Sequence, residues 1–266
     1  MSITKCKNEE DLLRVKVYLG SDYLKVPYLY TNLYKYGTGN TNVEVWFDIN
    51  EEQMRGIYLR YFNCLHFYTK ETDYSQKSFL EFTGQINPEV IMTEAAFGGR
   101  IRPFTKSYSL TREYSIRCDP DRAEYSNLAG YAVRQDIEEI AELIMMDRIY
   151  QEIYTEESLY NQLIERFDAG YGKCCIIRRD GKIVANYSIN GENDKFIFLG
   201  SLIVHPDYRN MGFGSILLKH LCKYAQEKDL ECLCFIAENN VKSLELHKKN
   251  NALPVGMIYK FRKIQV

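Results

Sequence analysis

The chain has 266 residues, room for two domains of ordinary size, and its 45% hydrophobic and 26% charged residues are the balance of a globular protein. A formal net charge of −2 excludes broad electrostatic capture of nucleic acid, which needs clustered Lys and Arg. The start of the chain, residues 1–22, is charged and helix-like with no apolar h-region, and no run approaches ~18 apolar residues. Neither a signal peptide nor a membrane span is expected, and the cytoplasm is the expected compartment.

In chain order, a helix is expected over Asn8–Leu19, followed by a segment from Asp22 to Tyr36 crowded with tyrosines (Tyr23, Tyr28, Tyr30, Tyr34, Tyr36). Such rings suit a packing face, with one wall of an acceptor cleft as the sharper reading. Strands are expected at Asn42–Phe47, Gln53–Tyr61 and Cys64–Thr69, then a helix at Tyr74–Phe82 and a strand at Glu89–Met92. Asp119-Pro120-Asp121 is the best boundary. It divides the chain into an N-terminal α/β lobe, 1–120, and a C-terminal domain, 125–266.

Beyond it, Tyr131–Arg134 reads as a strand leading into a helix at Asp136–Met146. Lys173–Arg179 and Lys182–Asn190 read as a hairpin turning on Asp180-Gly181, and Phe196–Val204 as a strand buried on both faces. An amphipathic helix from Gly212, a strand at Glu231–Ile236, a helix at Val241–Asn250 and a strand at Met257–Ile264 complete the order. The class is α/β (α+β) with a mixed sheet, in two lobes. Strand-strand-strand-helix-strand occurs in both halves, which suggests a degenerate duplication; two unrelated α/β lobes are the other reading.

The eight cysteines form neither CxxC pairs nor a dense disulfide framework. Cys232 and Cys234 share one face of their strand, but with no further soft ligands at suitable spacing they are expected to be core thiols, and no metal is expected.

Chemistry concentrates in Val204-His205-Pro206-Asp207-Tyr208-Arg209-Asn210-Met211-Gly212-Phe213-Gly214-Ser215. A buried strand, a loop with two glycines and the first turn of a helix present unpaired amides at the positive end of the helix dipole. Glycines let a phosphate approach that backbone, and Arg209 adds a fixed charge. The spacing fits neither a dinucleotide fingerprint nor a Walker loop.

Arg209-Asn210-Met211-Gly212-Phe213-Gly214 resembles the acyl-CoA motif [RQ]-x-x-G-x-[GA] of the GNAT acetyltransferases. Asn240-Val241-Lys242-Ser243-Leu244-Glu245-Leu246-His247-Lys248-Lys249 is similar to their N-x-x-A-x-x-L-Y-x-K helix. The resemblance covers Tyr131 to about Phe261; no phosphate loop follows Thr69 in the N-terminal half. It implies a splayed central sheet, with acetyl-CoA as co-substrate and an amine-bearing small molecule or peptide as acceptor. It further implies that the backbone of Leu202, Ile203 and Val204 takes the pantetheine arm as an added strand. The amides from Asn210 to Ser215 would hold the pyrophosphate. Asn240, Ser243 and His247 share one helical face; Asn240 either faces the cofactor or serves as an N-cap.

Two departures matter. His247 stands where the family has a tyrosine acid, and an imidazolium can protonate the departing thiolate, a surface histidine being the plain alternative. The strand before the loop offers only Ser201 as a polar side chain in place of a carboxylate base, so a water relay to Glu238, Glu192 or Asp194 would deprotonate the amine. Asn251 replaces a glycine after the helix and tolerates the left-handed turn. The expected activity is acetyl transfer to a primary amine by direct attack. A non-catalytic acyl-CoA-binding regulatory module and an aminoacyl transferase of paired GNAT lobes are the alternatives. Oligomeric state and acceptor identity are open.

Overall fold

The computed structural model describes residues 2–39, 42–51, 53–152, 154–170 and 172–264; Met1 and residues 265–266, the ends of ranges read above, lie outside them. The chain folds into two compact units, Met1–Ser115 with Ile236–Asn239 and Pro254–Val266, and Ile116–Phe235 with Asn240–Leu253. The architecture is mixed α/β and two-lobed.

In the first unit, β1 (Ser2–Lys5) leads to α1 (Glu9–Leu19), whose N-cap Asn8 accepts from the Asp11 amide and whose first turn is acidic. Leu12, Val15 and Leu19 recur on its buried face. The tyrosine-rich segment then forms α2 (Pro27–Tyr36), a helix not expected from sequence, opened by a proline in its first turn. Its rings serve packing: Tyr30 and Tyr36 lie against the core of Leu29, Leu33, Val45 and Phe47. Strands β2 (Val43–Asn50), β3 (Gln53–Tyr61) and β4 (Cys64–Tyr68) pair antiparallel in succession. Helix α3 (Gln76–Ile86) crosses to β5 (Val90–Glu94), which runs parallel to β4, and α4 (Ala95–Ile101) follows. Phe67, Phe79, Phe82, Phe97, Tyr58 and Tyr74 fill the space beneath α3 and α4. Burial of the last two hydroxyls is offset by a chain of hydrogen bonds: Tyr58 and Tyr74 oxygens lie 2.9 Å apart, and Tyr74 donates to Asp48 at 2.7 Å.

The second unit holds β7 (Ala129–Tyr131), α5 (Ile137–Met145), α6 (Arg148–Gln151) and α7 (Glu156–Asp168). They are followed by β8 (Lys173–Arg179), β9 (Lys182–Glu192), β10 (Phe196–Val204), α8 (Phe213–Glu227), β11 (Glu231–Ala237) and α9 (Val241–Lys249). The β8–β9 turn takes positive φ at Asp180 (51°) and Gly181 (79°), as an Asp-Gly hairpin demands. Helix α7 is absent from the sequence reading, although buried Leu159 and Leu163 and partly buried Tyr160, Ile164 and Phe167 recur at helical spacing. Strands run in the order β11-β10-β9-β8-β7, with β8, β9 and β10 antiparallel and β11 parallel to β10. This repeats the pairing of β2 to β5.

The last strand departs from the expected boundary. β12 (Leu253–Lys263) pairs antiparallel with β5, Ile258 opposite Glu94 and Arg262 opposite Val90. It therefore lies inside the first unit's sheet, between β5 and β6 (Tyr108–Arg117), instead of staying with the helices that precede it in the chain. Gly98 of α4 makes the seating tight, since a Cβ there would lie 2.6 Å from Cβ of Tyr259. Gly98→Val should therefore destabilise the protein by about 1–3 kcal/mol, the usual cost of overpacking. Gly99→Ala, with nothing within 4 Å of the added carbon, should be neutral or slightly stabilising. Urea midpoints of the two variants check the docking; equal midpoints would refute it.

Candidate active site

The site is built where two neighbouring strands of the second unit stop pairing. Parallel β10 and β11 pair from Phe196–Glu231 to Leu199–Cys234 and no further, although β10 continues to Val204. On its other side β10 stays bonded to β9, but with an extra residue: Gly200 faces Ser188 while Ile203 faces Asn186. This bulge places Ser201 at φ 58°, a left-handed conformation that an L-residue adopts only when its surroundings impose it.

Two side chains hold the bulge. Asn186, wholly buried in β9, donates to the Ser201 carbonyl at 2.8 Å and also meets Ser188 Oγ at 3.0 Å. Tyr150 donates to Ser201 Oγ at 3.1 Å, which leaves the serine proton free to point elsewhere. On the opposite face of β9, Tyr187 meets His247 Nε2 at 3.0 Å. Sequence reasoning missed Asn186 and Tyr150. The signal for Asn186 was present: an amide in the middle of the apolar run Ile183-Val184-Ala185 and Ile189 needs a buried partner. Nothing in the sequence around Tyr150 marks it.

Beyond Val204 the chain turns through Pro206–Tyr208, and His205 accepts from the Asp207 amide. Arg209 is exposed and donates to the Val204 carbonyl at 3.2 Å. Asn210 (φ 64°) and Gly212 (φ 81°) are both left-handed, and Gly212 begins α8 with no side-chain cap. The amides of Phe213, Gly214 and Ser215 thus precede the first intrahelical bond, Ile216 to Gly212, and face outward uncapped. Exposed Met211 flanks them, whereas Phe213 is buried under Tyr208 and the Arg179 guanidinium. Gly214 lets α9 close in, for a Cβ there would lie 2.5 Å from Leu246. Asn250 ties the end of α9 to Ser215 Oγ at 3.0 Å.

The remaining expected residues separate. Asn240 is the N-cap of α9, accepting from the Ser243 amide at 3.2 Å. His247 is only 2% exposed, which removes the surface reading. Its Nδ1 lies 2.8 Å from the Ser243 carbonyl, and since a carbonyl only accepts, that nitrogen carries the proton. Both ring nitrogens therefore have partners. Glu238 clusters with the first unit and pairs with Arg112 at 3.2 Å. Glu192 accepts from Tyr224 and Lys228; burial works to raise its pKa, and these two partners outweigh it to hold it below the ordinary carboxylate value. Asp194 lies 3.4 Å from Lys195.

A splayed strand pair and an uncapped glycine-led helix are the features that the resemblance and the motif led one to expect; the bulge is an addition of the structure. Residues 127–252 also match the profile of the acetyltransferase (GNAT) family. These residues are a GNAT-family domain. A curated relative, the amino-acid acetyltransferase of Pasteurella multocida, is 30% identical over 119 residues, 44% of this chain and 26% of that protein. The chain thus spans about a quarter of that relative's length. Among solved structures, a GNAT-family acetyltransferase from Colwellia psychrerythraea superposes with a TM-score of 0.63 at 17% identity, covering 99% of this chain and all of that one. A tandem GNAT protein of the clavulanic acid biosynthesis pathway superposes at 0.62 and 11% identity, covering 100% and 99%. At these identities the structures establish the fold alone, and that fold spans both units.

In the GNAT domain Asn186 satisfies a carbonyl that the bulge removes from regular pairing. Asn186→Ala should cost about 1–3 kcal/mol, the penalty for orphaning a buried acceptor, read as a lowered denaturant midpoint. Stability unchanged within about 0.5 kcal/mol would show that the bulge does not rely on this amide.

Proposed function

We propose that the GNAT domain transfers an acetyl group from acetyl-CoA to the primary amine of a small molecule of the amino-acid class, by direct attack on the thioester. The observation that carries this reading is the end of β10–β11 pairing at Leu199–Cys234 beside the uncapped start of α8. The freed edge of β10 offers the backbone groups of Leu202, Ile203 and Val204 to an extended, amide-bearing arm. The amides from Asn210 to Ser215 suit the pyrophosphate at the end of that arm, and Arg209 supplies charge once it leaves the Val204 carbonyl. Asn240 and Ser243 stand at the start of α9, whereas its other end, Leu246 and Asn250, meets Gly214 and Ser215. The name of the Pasteurella relative supports the acceptor class.

In this mechanism the protein contributes chiefly position. Holding thioester and amine together removes most of the entropic barrier. Donors aimed at the carbonyl oxygen stabilise the tetrahedral intermediate, and its collapse expels the thiolate. Ser201, held by Tyr150 at the bulge, is the polar side chain that β10 brings to the thioester. Water carries the proton away from the amine.

A non-catalytic acyl-CoA-binding module is the second reading. It is favoured by one observation, that Glu238, Glu192 and Asp194 are each engaged with a cation.

Calorimetry with CoA should give one site per chain. Gly212→Asp should abolish binding, since it puts a Cβ at φ 81° and a negative charge where the pyrophosphate would sit. A panel of amines, followed by release of free thiol from acetyl-CoA, then separates the readings. Turnover with an amino acid or related amine supports the transferase; tight CoA binding without thiol release for any amine supports the module. Unaltered CoA binding in Gly212→Asp would overturn both.

A further inference from the structure

The core between β11 and the helices α8 and α9 contains a cluster of soft donors that the acyl-CoA reading does not use. Sequence reasoning expected Cys232 and Cys234 to have no further soft ligands; the fold supplies three. Cys118 follows β6 (Tyr108–Arg117), its amide donating to the Cys232 carbonyl at 2.8 Å. Cys222 comes from α8 and His247 from α9. The sulfurs of Cys118, Cys222 and Cys232 lie within 4.8 Å of one another, and so do the donor atoms of Cys118, Cys234 and His247. Cys118 belongs to both groups. Each of the five residues is at most 5% exposed, and all the cysteines are free.

From this geometry we propose that the second unit contains a buried structural site for one zinc-class ion. Cys118, Cys222 and Cys232 provide three ligands and the Cys234–His247 pair provides the fourth. A tetrahedral zinc with Zn–S bonds of ~2.3 Å sets its sulfurs ~3.8 Å apart, so the observed spacing needs only side-chain adjustment to close on an ion. Thiolate and imidazole are the donor types that select zinc over magnesium or calcium. The histidine is held in the tautomer that metal-bound histidines use: Nδ1–H is fixed on the Ser243 carbonyl, and Nε2, which accepts from the Tyr187 hydroxyl at 3.0 Å, would exchange that partner for the ion.

Plain core packing would explain one or two thiols as small hydrophobes. It gives no reason for four thiols from three separate stretches of chain to gather about Cys118, two of them beside an imidazole. With no donor open to solvent, the site is a closed structural one. It would pin α8, which begins with the phosphate loop, to β11, from which β10 splays.

The experiment uses the full chain, expressed with zinc and purified under reducing conditions without chelator. Elemental analysis should find about one zinc per chain. Replacement by Co(II) should produce thiolate-to-cobalt charge-transfer absorption and the visible bands of a tetrahedral ion. Chelation should lower the melting temperature by several degrees. Cys118→Ala, Cys222→Ala and Cys232→Ala should each lose the ion, while Cys64→Ala, outside the cluster, retains it. A parent protein that purifies without thiol-bound metal and gives no charge-transfer band with Co(II) overturns the proposal. So does a disulfide at Cys118 in the purified protein, or a Cys118→Ala variant that keeps the parent's zinc. If Cys118→Ala fails to fold, the cobalt spectrum of the parent decides alone.

Discussion

Backbone hydrogen bonding inside a sheet is close to obligatory, and the second unit breaks that rule at one place. Where β10 and β11 cease pairing after Leu199–Cys234, the groups of Leu202 to Val204 on one edge have no strand to meet. An unpaired edge next to buried structure is costly unless water or a ligand completes it. An extended arm carrying its own amides is the natural complement, and it would bind as a strand does. The bulge at Ser201 makes the gap durable. Once the strand carries an extra residue there, its carbonyl is committed to Asn186 and its hydroxyl to Tyr150, so β10 cannot slide back into register.

The anionic end of such a ligand is met by a second exception to ordinary structure. Most helices in this protein begin with a side-chain cap: Asn8, Ser75, Glu94, Thr155 and Asn240 each accept an amide of the following turn. Helix α8 begins with Gly212, which has nothing to offer. Its first amides and the positive end of its dipole are therefore left for an external acceptor. The same residue supplies the positive φ that turns the loop into the helix. Gly214 one step later admits Leu246, and Asn250 joins α9 to the same turn. The loop thus has a firm support on the side away from the anion.

The first unit repeats the strand order and pairing of the second without its exceptions. β4 and β5 pair parallel from Cys64–Val90 to Phe67–Thr93, and β4 ends one residue later at Tyr68, so no long edge is freed. The tyrosines that crowd this half mainly finish its core and satisfy one another, as Tyr58, Tyr74 and Asp48 do. The chain's last strand adds to this unit's sheet through β5. β12 therefore contributes to stability in the half of the molecule that comes first in sequence.

The sequence by itself determined what short-range physics controls. The β8–β9 hairpin is written in Asp180-Gly181, the amphipathic α8 in its spacing, the anion-binding turn in two glycines after a buried strand, and the left-handed exit at Asn251 (φ 59°) in an asparagine. The local signal of α2 is weak, because tyrosines favour helix poorly; α7 carries a helical stripe in Leu159, Tyr160, Leu163, Ile164 and Phe167, and its absence from the sequence reading has no such excuse. Only the tertiary structure decided which edge β12 joins, where β10 and β11 part, and that Asn186 holds the bulge. The same holds for the cysteines. Positions 118, 222, 232 and 234 look scattered along the chain, and only the fold brings them together about Cys118, with His247 of α9 beside Cys118 and Cys234. Side-chain alternation can assign a residue to a face; it carries no information on what the rest of the chain brings to that face.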